Sequence, residues 1–412
     1  MTTVTARVGC AALLAAVLTL AGCASSPPPE PTTTAAASNA SAALPVGPDA
    51  TAVLTPIAAR PLSPEIYPVL GADDRLHLAY ELQIVNMSGG RVLLDSVAVL
   101  GDGDTALTTI PQADLRLRLA GGASGDAFGP GEAADLFLDV TLPADATPPQ
   151  VVRHTFAVAM PDGATKNLTF TGVPVAVSDQ QAVVVAPPLK GKGWVAGNGC
   201  CDAVTAHRGA TLPVDGTIRV AQRFAIDFVQ LDAAGQLYTG DPADNASFPF
   251  FGDEILSAAD GTVVRVLDGE PNQPPGTLPA GANLQNADGN YVVVDIGNGR
   301  FAFYAHMQPG TVRVKVGDRV KTGDVLGILG NSGNTDAPHL HFHIMDGPSP
   351  LQSNGLPFVF TSFTGTGVVG DEAAIVAPFA PQAPVVPIDA TTWAGPHRDQ
   401  LPLNLQVVDF GS

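Results

Sequence analysis

The stretch Pro338-His339-Leu340-His341-Phe342-His343-Ile344 alternates histidine with large apolar residues. That is the period of a β-strand, in which side chains two apart share one face and lie about 7 Å apart along it. Leu340, Phe342 and Ile344 then make a dry face, and His339, His341 and His343 a polar one. Three of the eight histidines of the chain fall within this short run. Neutral imidazole is a common zinc ligand and a base near neutral pH, so the strand predicts a metal or proton-transfer site.

Working outward, the surrounding region is also strand-like. Arg223 to Leu231, Gly261 to Leu267, Tyr291 to Ile296, Arg300 to Met307 and Val325 to Leu329 are short apolar runs separated by glycine-bearing turns. With no amphipathic helical pattern, residues 179–370 read as an antiparallel sheet domain. Residues 56–178 have the same punctuation around Leu76 to Val85, Val92 to Leu100, Leu115 to Leu119, Ala134 to Leu142, His154 to Ala159 and Lys166 to Phe170. Strands at that spacing predict an immunoglobulin-like β-sandwich, serving as a spacer or binding module, so the chain as a whole is read as all-β. His77 and His154 stand alone there and read as strand residues, not ligands. Residues 371–412 are first rich in proline and alanine and are expected to pack as an arm, with His397 outside any site.

The first 23 residues read as an export signal: Arg7 precedes an apolar run from Val8 to Leu20 that is short for a membrane span. It ends in Leu20-Ala21-Gly22-Cys23, which resembles the lipobox of bacterial lipoproteins. That resemblance implies that Cys23 is the lipid-attachment residue and that the protein is exported and anchored to the outer face of the bacterial cell membrane. Residues 24–55, rich in Ala, Thr, Ser and Pro, cannot bury enough surface to order themselves and form a tether. The net charge of −19 argues against nucleic acid as a partner, because phosphate binding needs a basic surface. Cys200 and Cys201 are adjacent and read as structural, either as a vicinal disulfide or as free thiols, with a thiolate near the metal as a further option.

Taken in order, Arg223-Phe224-Ala225-Ile226-Asp227-Phe228, Ser257-Ala258-Ala259-Asp260-Gly261-Thr262-Val263, Tyr304-Ala305-His306-Met307, Val316-Gly317-Asp318, Gly330-Asn331-Ser332-Gly333 and His339-Leu340-His341-Phe342 resemble the lysostaphin-type (LytM-like) zinc metalloendopeptidases of bacterial cell walls. The resemblance covers most of residues 179–370. It implies a zinc cofactor held by Asp227 and His341, with His339 and His306 as catalytic histidines, and peptidoglycan or another envelope peptide as substrate. In such a site His339 takes a proton from the attacking water, and His306 stabilises the oxyanion with the metal. The glycine and valine turns alone also fit a biotinyl or lipoyl carrier, but no lysine stands in the context such carriers modify.

The chain departs from the family pattern at one ligand. Four residues before Asp227 the family has histidine, and here stands Arg223, whose guanidinium has no lone pair to give a metal. His207 is the preferred replacement, with His343 and Cys201 as further candidates and His343 better suited to hydrogen-bonding the ligands than to joining them. Arg223 itself is expected to pair with Asp227 or to bind a substrate carboxylate. Pairing with Asp227 would leave a degenerate domain that binds peptidoglycan or activates another cell-wall hydrolase.

Overall fold

The structure is a computed structural model and describes residues 53–121, 127–201, 204–279, 286–370, 375 and 383–411. The expected export signal, Cys23 and nearly all of the expected tether lie outside the described residues.

The described chain is almost entirely β-structure. Its N-terminal part is built on β1 (Arg75–Asn86), β2 (Val92–Leu100), β3 (Ala133–Pro143), β4 (Val151–Ala159) and β5 (Asn167–Val177). One sheet runs Ile57–Pro61, β1, β3, Leu119–Gly121, and a second runs Glu65–Ile66, β5, β4, β2, Ala106–Pro111. Leu78, Leu82 and Leu136 from the first sheet and Val97 and Phe156 from the second share one core, so the two sheets form a sandwich. Burial at about 25 cal/mol per Å² of apolar surface makes such a shared face the main stabilising term. The stretch Leu115 to Leu119, expected as a strand, is instead a helical turn at Gln112–Leu115 followed by the short strand Leu119–Gly121. Leu115 is buried from the turn while Leu117 is 76% exposed, so the leucines do not share one buried face as they would in a strand.

β1 carries a second message in its other face. Leu78, Tyr80, Leu82 and Ile84 point into the sandwich core, yet His77, Ala79 and Glu81 between them are buried too. Ala79 belongs to the core of the second half of the chain, so the outer face of this sheet is covered by that half.

The second half is organised by β6 (Gly191–Gly197), β7 (Ile226–Gln230), β8 (Gly261–Leu267), β9 (Asn290–Gly297), β10 (Arg300–Met307), β11 (Leu340–Met345), β12 (Phe363–Val369) and β13 (Gln406–Phe410). They pair in the order Arg319–Val320, β8, β9, β10, β11, β7, β6, β13, β12, Ile388–Asp389. The C-terminal segment is therefore not a peripheral arm. β13 is an interior strand between β6 and β12, where Val407 and Val408 enter the core. The histidine strand β11 sits centrally between β10 and β7, with Leu340, Phe342 and Ile344 in the core as their alternation predicts.

The two sandwich histidines do structural work, and they titrate in opposite directions. His154 bonds the Tyr80 hydroxyl at 2.7 Å and the Val173 carbonyl at 2.8 Å, and burial pushes it down to about 4. For His77 burial also acts downward, but Asp139 at 2.8 Å and Asp73 at 3.1 Å outweigh it and raise the group to about 9. A raised histidine contributes stability that is complete below its unfolded value, roughly 6.5, and lost as pH rises toward 9. A depressed one contributes stability that is present above roughly 6.5 and lost as pH falls toward 4. Urea unfolding followed from pH 4 to 9.5 should therefore give a maximum near pH 6.5, with His77 and His154 each contributing up to roughly 3 kcal/mol to its own limb. His77→Asn should flatten most of the alkaline limb, whereas His154→Gln should shrink the acid limb without removing it, because His341, His343 and His306 are depressed by burial as well; an alkaline limb undiminished in His77→Asn would show that this assignment is wrong.

Candidate metal centre

Antiparallel pairing of β7 with β11 sets Asp227 directly opposite His341, so their side chains rise from the same face. His341 Nδ1 lies 2.9 Å from Asp227 Oδ1, and His339 Nε2 lies 3.4 Å from the same oxygen. His306 closes β10 with a positive φ of 66°, and its ring centroid is 4.5 Å from that of His339. Such backbone strain in a non-glycine residue persists only where the surroundings hold it. Here the Ser332 carbonyl accepts from His306 Nδ1 at 2.7 Å, and Asp288 carbonyl accepts the backbone N–H at 3.2 Å. The loop bearing Ser332 approaches so closely that any side chain at Gly289 would strike the Ser332 carbonyl.

His207 completes the group. It sits in a helical turn, closed by Gly209 N–H on the Thr205 carbonyl at 2.9 Å, and its Nε2 reaches within 3.1 Å of Asp227 Oδ2. One donor atom each from His207, Asp227 and His341 lies within 4.8 Å of the others. His306, His339 and the three donors line one cavity of about 300 Å³ together with Gln222, Asp288 and Asp336. A larger cleft of about 760 Å³ lined by Pro68, Gln150 and Gln180 holds no histidine and lies apart from this chemistry.

Backbone carbonyls fix which nitrogen of each ring faces the cavity. His207, His306 and His339 each place Nδ1 against a carbonyl, those of Ala225 (2.9 Å), Ser332 (2.7 Å) and Ala337 (2.8 Å). An acceptor there requires Nδ1 to carry hydrogen, so in the neutral rings Nε2 keeps the lone pair. His341 is turned the other way, with Nδ1 toward Asp227 and Nε2 toward His343 Nδ1 at 2.9 Å. Burial pushes His341 down to about 4 and holds His343 and His306 well below the usual histidine range. For His339 burial acts downward but the Asp227 carboxylate prevails and raises it. Burial would raise Asp227, yet His207 and His339 hold it well below the usual carboxylate range.

Two nitrogens and one carboxylate, close together with an open cavity beside them, match zinc, which takes N and O donors at about 2.0–2.2 Å and leaves a position free in catalytic sites. His343 is not part of this donor group; it is buried, meets His341, and leaves its own Nε2 without a hydrogen-bond partner. Cys201 is not a donor either, because its sulfur is bonded to Cys200 as a vicinal disulfide. The pair also removes Cys201 from a second cluster with His77 and Asp139, where both His77 nitrogens already face carboxylates.

Arg223 departs from both expectations for it. It neither pairs with Asp227 nor lines the cavity, but turns to the outer face of the sandwich, where Glu81 takes its Nε at 2.8 Å and its Nη2 at 2.5 Å, and Ser63 takes Nη2 at 2.6 Å. Asn198, absent from the sequence reading, donates from Nδ2 to Asp227 Oδ2 at 2.9 Å. An asparagine just before a cysteine pair carries no motif, so only the β6–β7 register, which pairs Gly197 with Asp227, reveals it.

Residues 247–353 match the family model described as Peptidase family M23. That segment is an M23 peptidase domain. Over 86 residues the chain is 35% identical to Endolysin 2638A of Staphylococcus phage 2638A, covering 19% of this chain and 18% of that protein. Over 58 residues it is 40% identical to the peptidoglycan DD-endopeptidase ShyC of Vibrio cholerae, covering 14% of this chain and 13% of that one. The chain thus spans under a fifth of the length of either relative. Among solved structures, the catalytic domain of lysostaphin from Staphylococcus simulans aligns at 22% identity and a TM-score of 0.22, over 40% of this chain and 86% of that one. The M23 match contains His306, His339 and His341 but begins after His207 and Asp227, the two residues nearest the departure from the family pattern.

Proposed function

We propose that the chain is a zinc metalloendopeptidase that hydrolyses peptide bonds of peptidoglycan cross-links, held at the outer face of the cell membrane by lipid on Cys23. The observation that carries this reading is the convergence of His207, Asp227 and His341 beside two further histidines that line the same cavity. His207 stands in for the ligand that Arg223 cannot be, and Asp227 and His341 hold the other two positions.

Bound zinc would supply Lewis acidity, polarising the scissile carbonyl and making water acidic enough to attack near neutral pH. The rest is done by the chain. His339, anchored through Nδ1 on the Ala337 carbonyl, offers Nε2 as the proton acceptor for the attacking water and then returns the proton to the leaving amine. His306 presents Nε2 to the cavity because Ser332 holds its other nitrogen, and burial keeps the ring neutral, so Nε2 offers a lone pair there that orients the attacking water or a substrate N–H. Carbonyl anchoring of both rings fixes their direction before substrate arrives, which is where positioning contributes to rate. An M23 domain with an export signal, and relatives named for peptidoglycan endopeptidase activity, support peptidoglycan as the substrate.

Purified mature protein should contain about one zinc per chain and should release new amino termini from isolated peptidoglycan, read by mass spectrometry of the soluble fragments. Chelation should abolish the release and added zinc restore it. Cys23→Ala should move the protein from the membrane fraction to the soluble one with its specific activity kept. Metal-free protein after reconstitution, or fragments lacking any newly cut peptide bond, would exclude the reading.

A further inference from the structure

His207 and Arg208 are neighbours whose side chains part company. His207 points into the cavity, and Arg208 packs on the outer face of the sandwich and is only 1% exposed. There its Nη2 donates to the Leu138 carbonyl at 3.1 Å and lies 3.6 Å from Glu81 Oε1, its Nη1 donates to the Cys201 carbonyl, and its guanidinium carbon stands 5.7 Å from the centre of the Phe137 ring. Glu81 therefore faces two guanidinium groups, those of Arg208 and Arg223, with its own side chain fully buried. Buried charges of this kind are stable only while paired, since an isolated ion in such surroundings costs several kcal/mol.

The two arginines lie on the two pieces of backbone that place His207. Arg208 is in the turn that carries His207 itself. Arg223 is in the turn that ends at Ala225, closed by Ala225 N–H on the Gln222 carbonyl at 3.0 Å. Ala225 supplies the carbonyl that accepts from His207 Nδ1 at 2.9 Å and so aims Nε2 at Asp227. One sandwich carboxylate thus ties down both the ring and the group that orients it.

We propose that the N-terminal sandwich is a working part of the metal site, with Glu81 and Arg208 as positioning residues that hold His207 at its ligand position. This rests on the reading of His207 as a zinc ligand. It gives the sandwich a role beyond that of a spacer and explains the arginine at position 223: where the family pattern has a ligand, this chain has a tether, and the ligand comes from a turn that the same carboxylate secures. The bidentate grip of Glu81 on Arg223 also gives the contact a fixed geometry that a lone ammonium would not.

The test is zinc affinity of the whole mature chain, measured by competition with a chromophoric chelator. Arg208→Met keeps the volume and leaves the Glu81–Arg223 pair intact while releasing the His207 turn; Glu81→Gln keeps the shape and removes the charge. Both should weaken zinc binding about 10–100-fold, the effect usual for groups that orient ligands. Gln400→Ala serves as the control, because Gln400 joins the two halves elsewhere, donating to the Gly71 carbonyl at 3.1 Å and to Asp74 at 2.7 Å. It should leave zinc affinity unchanged. Near-UV circular dichroism identifies which variants are folded, and Arg208→Met alone decides the matter if Glu81→Gln does not fold. Folded Arg208→Met that binds zinc as tightly as the parent, while His207→Ala binds it poorly, overturns the tether and leaves the metal site standing. Parental zinc affinity in His207→Ala overturns both.

Discussion

Substituting His207 by alanine should weaken zinc binding by more than about 100-fold, beyond what loss of an orienting group produces, and peptidoglycan cleavage should fall in proportion to the metal lost. The argument starts from Arg223. A guanidinium is charged at every accessible pH and has no lone pair, so the family's ligand position cannot coordinate here. Its side chain has also left the cavity for Glu81 and Ser63, which removes the alternative of an ion pair quenching Asp227. What remains beside Asp227 Oδ2 is His207 Nε2 at 3.1 Å, its lone pair set by the Ala225 carbonyl on the far nitrogen. Removing the buried ring loses its contacts with the Ala225 carbonyl and Asp227 and leaves a small cavity, together about 2–3 kcal/mol, so near-UV circular dichroism should confirm that the variant is folded before its zinc affinity is read. His207→Cys should recover part of the affinity, because thiolate is a good zinc ligand. Stoichiometric zinc at parental affinity in His207→Ala would mean that the third donor is some other group.

The sequence made the chemistry on β11 legible because a strand's two-residue period is local: Leu340, Phe342 and Ile344 announce a dry face, and the histidines follow on the other. β8 and β10 were legible on the same ground, as apolar runs ending in turns. What escaped was whatever depends on a partner far along the chain. Glu81 carries no motif in its strand, and its partner Arg223 lies 142 residues away. The outer face of β1 is dry only because the second half of the chain packs on it. Arg223 was misjudged for the same reason: nearby sequence offers Asp227 as a partner, and tertiary packing offers a better one. β13 fails similarly, since a five-residue strand after a proline-rich segment gives no sign that it will be interior to a sheet. His207 is the informative middle case. Nothing in its surroundings marks it; the missing family ligand makes it one candidate beside His343 and Cys201, and only the folded chain sets its Nε2 3.1 Å from Asp227.

His339→Ala should cut turnover by about 10²–10⁴-fold while the protein keeps its zinc. The contrast with His341, two residues along the same face, is what makes this decisive. His341 meets Asp227 through Nδ1 at 2.9 Å and is flanked by His207 with ring centroids 4.7 Å apart, so it belongs to the donor group. His339 presents Nε2 at a longer 3.4 Å from Asp227, stacks toward His306, and rests on Ala337 and Thr335 through its other nitrogen. A group placed like that can exchange a proton with something in the cavity without holding the metal. His341→Ala should therefore lose zinc and activity together, whereas His339→Ala should lose turnover with KM little changed, because a base acts in the transition state and adds little to ground-state binding. Thr335→Val offers a finer check. It removes the hydroxyl 3.2 Å from His339 Nδ1 but leaves the Ala337 carbonyl, so the ring keeps its tautomer and turnover should drop only several-fold. Zinc lost from His339→Ala as completely as from His341→Ala would make His339 a ligand and move the base elsewhere, with His306 then the one ring in the cavity still free to serve.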